Sequence, residues 1–187
     1  MTSTDATAAP RPARTLEDVL WVPPPQPEWM NEWTAHESPE TTQGYLEFLD
    51  QTTAEQQPMD QLPRKYDTKY NKSAPLLHFG FIVPYRRMAE YALEEDILPP
   101  DFKPEFYFSA SGHVLDHLRE LSGCPHLYLA EPWCEYRPEV VVALYSNRNM
   151  RKRQYIDEHE KLVVDVIQEE LALQDHAKWY WDVEPYC

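Results

Sequence analysis

The densest run of chemistry-bearing side chains is SNRNMRKR, residues 146–153, which sets Arg148, Arg151, Lys152 and Arg153 within six residues. Guanidinium forks, together with backbone N–H groups at a helix start, hold phosphates and carboxylates. The apolar run EVVVALY precedes the cluster, and Asp157, Glu158 and Glu160 follow it. Acids suit the first turn of a helix, whereas cations there oppose its dipole. The helix is therefore expected to begin near residue 155, with the four cations on the loop before it. They are assigned as an anion- or ligand-binding loop. The plainer alternative is a solvated loop, or one paired with this chain's own carboxylates.

His113, His117 and Glu120 stand at i, i+4 and i+7 of GHVLDHLRE, with Asp116 beside them. On a helix that spacing puts two imidazoles and a carboxylate on one face, a donor set that zinc accepts. The pattern is not HExxH, however, and Val114, Leu115, Leu118 and Leu121 supply the buried side. The histidines read more simply as the polar side of that helix, so no metal and no cofactor is assigned. Cys124, His126 and Cys134 are a thinner set. One residue separates Cys124 from His126, where zinc knuckles use two, and a fourth ligand is lacking. Free cysteine is often a small buried hydrophobe. Four glycines in all leave no Walker loop and no GxGxxG, and no GxSxG elbow occurs.

A third group is apolar. Trp21, Trp29 and Trp33 are interleaved with prolines in WVPPPQPEWMNEW, where residues 22–27 should adopt polyproline II. Tryptophan anchors dominate many interfaces, and proline lowers the ordering cost of an extended peptide. These three are assigned as partner-binding residues, on a segment that either packs across its own domain or docks into another protein.

The charge is uneven. Of the net −15, residues 1–60 carry eleven carboxylates against Arg11 and Arg14 (−9), and the other 127 residues carry 21 acids against 15 bases (−6). Such acidity opposes non-specific binding to nucleic acid or anionic membranes, and neither is expected as a partner. Three sparse cysteines make no disulfide framework. The N-terminus lacks a signal-peptide apolar run, and no 18-residue apolar stretch occurs, so a cytoplasmic or nuclear protein is expected.

The elements that must position these groups follow from periodicity and punctuation. Residues 1–14 read as disordered. Ser38-Pro39-Glu40 signals a helix start, and residues 57–75 read as a polar loop. LLHFGFIV is a buried strand; Pro84 then opens a helix through YRRMAEYALEEDI. EFYFS (105–109), HLYLA (126–130) and EVVVALY (139–145) are further strands. Residues 112–121 form a short helix capped by Gly123. A last helix spans roughly residues 155–174, with an apolar stripe of Ile156, Val163, Val166, Ile167 and Leu171. The tail AKWYWDVEPYC is expected to pack on the domain.

The expected architecture is α+β: a mixed sheet of about four strands covered by helices, in a single domain of residues 38–187. An extended, Pro/Trp-rich acidic arm, residues 1–37, precedes it. The leading functional expectation is a non-catalytic protein–protein interaction protein acting through the arm and the aromatic tail. An enzyme or small-molecule binder holding an anion at Arg148, Arg151, Lys152 and Arg153 is the first alternative. A metal-dependent enzyme using His113, His117 and Glu120 is the second.

Overall fold

The structure is a computed structural model that describes residues 14–20, 56–106, 108–132, 139–150 and 156–182, with 156–158 described by backbone alone. The expected polyproline segment, the helix start at Ser38, Trp21, Trp29, Trp33, Cys134, Cys187, Arg151, Lys152 and Arg153 lie outside the described residues.

LLHFGFIV forms β1 (Leu77–Pro84), and the chain passes directly into α2 (Tyr85–Glu94). Proline is tolerated at this junction because the N–H it lacks would have no partner in a first helical turn. Helix α3 (Ser111–Ser122) ends at Gly123, whose φ of 63° is the left-handed cap expected there. Strands β2 (Tyr128–Ala130) and β3 (Glu139–Ser146) follow, then α4 (Ile156–Glu170) and β4 (Lys178–Trp181). The N-terminal turn α1 (Leu16–Val19) packs on α2. The fold is α+β, with four strands in one sheet of order β2-β3-β1-β4.

Two expectations are corrected. Among the described residues of 105–109, none is in a strand. The Ser109 hydroxyl accepts the backbone N–H groups of Glu105 (3.0 Å) and Phe106 (2.8 Å), and these local bonds win over a sheet ladder. With that strand goes the parallel β-α-β unit that would have made the sheet mixed; all three ladders are antiparallel. The fourth strand comes instead from the tail. Trp179 and Trp181 point to the helix side and join the main core, while Tyr180 joins a smaller cluster on the other face. Strand alternation thus explains why three consecutive aromatics can all be buried.

The main core lies between the sheet and α2, α3 and α4, built from Leu77, Phe81, Val83, Val140, Val142 and Leu144 below and Met88, Leu118, Ile167 and Leu171 above. The opposite face carries Ala130, Val141, Ala143 and Tyr180. Gly80 marks a bulge between these faces, where the register of β1 against β3 shifts. A Cβ on Gly80 would lie 2.1 Å from the Val142 carbonyl oxygen, so only glycine permits this approach. Beyond the two edge strands, Pro132 bridges Asp182, and the sheet's opposite edges meet there.

Polar side chains tie the layers. Arg87 of α2 donates to the Leu171 carbonyl (3.0 Å) at the end of α4, a cation where the helix dipole favours one, and to the Glu94 carboxylate (2.9 Å). Arg14 donates to the carbonyls of Pro99 and Pro100, both at 2.6 Å, and Val19 is 2% exposed. This part of the N-terminal region therefore packs across its own domain.

Candidate functional site

The basic loop is organised by a residue that charge counting passes over. Asn147 follows β3 and is 1% exposed. Its Oδ1 accepts the N–H of Leu77 (3.2 Å), and its Nδ2 donates to the carbonyls of Tyr66 (2.9 Å) and Pro75 (2.7 Å). Its backbone N–H donates to Leu77 O (3.0 Å), and its own carbonyl accepts the Thr68 hydroxyl (2.8 Å). One asparagine thus staples the loop of residues 56–76 to the turn after β3. Arg148 is exposed on that turn. Of the four cations assigned from sequence, it alone is described, and α4 begins at Ile156, close to the expected start.

The staple brings a second basic run against this turn. Within RKYDTKYNK, residues 64–72, the Arg64 guanidinium lies over the ring of Tyr70 (4.3 Å to the centroid) and the Lys69 ammonium lies near the same ring (5.2 Å). Lys65 lies over Tyr66 (4.6 Å). By composition alone these residues are a polar loop. The available signal was the alternation of cations with tyrosines, a pattern that supports cation–π contacts.

The histidines of α3 lie against different aromatic neighbours. His113 meets the edge of Phe102 (centroids 5.6 Å apart) and His117 lies against Tyr91 (5.9 Å). Glu120 is exposed. Among the described residues no group of three or more His, Cys, Asp or Glu is placed to hold a metal ion. Cys124 is buried and, with His126, lines a cleft of about 250 Å³ that also takes in His159 and Val163. The spacing rules gave no reason to include His159, which approaches from α4.

The sequence also gave no sign of a buried polar chain on the second sheet face. His78 Nε2 lies 2.6 Å from the Asp182 carboxylate, and its Nδ1 lies 2.8 Å from the Tyr128 hydroxyl. Tyr128 is paired with Ala143, and Ala143 with Gly80, so small residues lie between Tyr128 and His78. The order Asp–His–Tyr resembles a proton relay, but neither the 250 Å³ cleft nor a second one of about 200 Å³ includes any of the three. The network joins β1, β2 and the end of β4 and serves as a polar tie within the fold.

Exposed aromatic surface lies at the far end of β1. Phe106 and Phe108 stack with centroids 5.3 Å apart and planes within 6°, and they are 51% and 44% exposed. The second cleft, lined by Tyr85, Phe108, Leu129 and Val140 with Ser111 and Glu131, lies beside them. No helix among the described residues is long and apolar enough to cross a membrane. Compared with known proteins, the chain matches no protein-family model, no curated protein and no solved structure.

Proposed function

We propose that the protein is a non-catalytic interaction protein, a small α+β domain that engages another protein. The supporting observation is the stacked pair Phe106–Phe108, half-exposed on a turn that side chains hold in place. Ser109 Oγ accepts two N–H groups there, and the Ser111 hydroxyl donates to the Phe108 carbonyl at 2.6 Å. Exposed aromatics stacked beside such bonds have the character of interface anchors. The aromatic tail has no such role in this reading, since Trp179, Tyr180 and Trp181 are buried in the sheet. Trp21, Trp29 and Trp33 are retained as a second proposed contact, launched from the α1 turn that Arg14 and Val19 hold on the domain.

The test compares the tagged chain with a Phe106→Ser/Phe108→Ser variant and a Trp29→Ala/Trp33→Ala variant, in the cells that express the protein. Captured proteins are identified by mass spectrometry, and direct binding is measured with the purified partner. The reading expects a partner whose affinity falls roughly tenfold or more in the phenylalanine variant, as loss of an aromatic anchor implies. Equal affinity in all three proteins would overturn it.

A further inference from the structure

At the opposite end of β1, we infer a second binding surface: a basic–aromatic platform of Arg64, Lys65, Lys69, Tyr70, Lys72 and Arg148 that takes an acidic peptide segment of a partner protein. It rests on observations separate from the phenylalanine pair. Eight strand residues, spanning about 26 Å, separate the Asn147 staple from the start of α2 beside Phe108.

The density of exposed cations without a carboxylate partner sets this surface apart. Elsewhere among the described residues, Arg86, Arg87, Arg119 and Lys161 each hold a carboxylate and Arg14 is occupied by backbone carbonyls, while Lys103 and Lys178 stand singly without an ion pair. Arg64, Lys65, Lys69, Lys72 and Arg148 are exposed and form no ion pair among the described residues. The single acid in the run, Asp67, accepts the Lys69 backbone N–H at 2.8 Å through one carboxylate oxygen. In a chain of net charge −15, five exposed cations lie on two segments that Asn147 joins.

Side-chain hydrogen bonds also brace this surface. Asn147 fixes the Tyr66 and Pro75 carbonyls, Thr68 is bonded back to Asn147, and the Asn71 side chain donates to the Lys65 carbonyl at 3.0 Å. Arg64 and Lys69 rest on Tyr70, which is 52% exposed, so two cations are pre-positioned beside apolar area. Preorganisation lowers the entropy lost on binding. Carboxylates meet the guanidinium and ammonium groups, and an apolar residue of the same segment covers the exposed part of Tyr70.

The overall field selects between polyanions. A nucleic acid brings one charge per phosphate along its whole length and meets the repulsion of the other acidic surfaces. A short acidic peptide brings its few charges to the platform alone. Its binding is correspondingly salt-sensitive, since the platform is solvent-exposed.

The experiment uses the full chain and fluorescence anisotropy with four probes: a labelled glutamate-rich peptide containing one tryptophan, its glutamine counterpart, a single-stranded oligonucleotide of equal charge, and inorganic phosphate as a competitor. Saturable binding of the glutamate peptide is expected. It should weaken with added salt and fall roughly tenfold in Arg64→Gln/Lys69→Gln, the loss that two exposed charge contacts together support. A Lys65→Gln/Lys72→Gln variant should weaken it as well, and circular dichroism establishes that both variants keep the fold. Absence of saturable binding, equal binding of the glutamine peptide, tighter binding of the oligonucleotide, or full competition by millimolar phosphate would each overturn the assignment. The phenylalanine variant should bind the peptide as wild type does, which separates failure here from failure of the other surface.

Discussion

The residue that best shows how a side chain can outweigh its charge is Asn147. Charge marks the cations that follow it in the sequence, whereas a neutral asparagine beside them carries no such signal. Its amide makes three side-chain hydrogen bonds while 1% exposed, each joining segments that are far apart in sequence. A net hydrogen bond contributes about 1 kcal/mol, and stranding a buried partner costs more than never having had it. Asn147→Ala is therefore expected to lower stability by about 3 kcal/mol in urea unfolding. The same variant frees the loop of residues 56–76 and should weaken the glutamate peptide although no cation is touched. A loss under 1 kcal/mol, or unaltered peptide binding, would show that the staple is dispensable. His78 is a similar case, since a lone histidine in an apolar strand gives no sign of its partners until Tyr128 and Asp182 are brought beside it.

At the scale of elements, hydrophobic periodicity located β1, β2, β3, α2, α3 and α4, because each buries one face or a continuous run. EFYFS and KWYW were harder to separate. Both are short and aromatic, and period alone does not tell a strand from a braced turn. What decided was chemistry outside the apolar pattern: Ser109 captures the backbone of the first, while β1 has an open edge for the second. Gly80 gives a sharper test of what holds the sheet. A methyl group there would meet the Val142 carbonyl oxygen at 2.1 Å and Ala143 Cα at 2.8 Å, both backbone atoms that yield only if the strands part. Gly80→Ala should therefore cost about 3 kcal/mol. Gly112, in the first turn of α3, has nothing within 4 Å of the corresponding position. Gly112→Ala should instead add about 0.5 kcal/mol through backbone entropy. Thermal unfolding of the two variants should move in opposite directions; a tolerated Gly80→Ala would mean that the bulge is not a close contact.

For the whole molecule, the two sides of the fold share a dependence on neutral tyrosine. Tyr91, on α2, is buried and donates to the Glu170 carboxylate at 2.7 Å; burial first, then that bond, hold its phenol well above the ordinary tyrosine range. Tyr180, on β4, is pushed up to about 12 from an ordinary 10.0, chiefly by burial, with Asp175 and Glu139 adding to the effect and a backbone bond from Ile82 opposing it. One residue ties α2 to α4, and the other lies on the second sheet face, so together they sample both layers. Both shifts have the same consequence. Between pH 10 and 12 the unfolded chain releases phenolic protons that the folded chain retains, so the folded state binds more protons and stability falls as pH rises. The contribution is fully present below pH 10 and is lost through this window, amounting to about 2 kcal/mol for Tyr180. Lysines also titrate there, so the comparison is with Tyr91→Phe/Tyr180→Phe, which keeps the rings and removes both ionisable hydroxyls. Urea unfolding followed from pH 9 to 12 should fall more steeply for wild type than for the double variant, and each single variant should lie between them. Parallel curves would mean that neither phenol resists ionisation, and would place the alkaline weakness of the fold in its lysines instead.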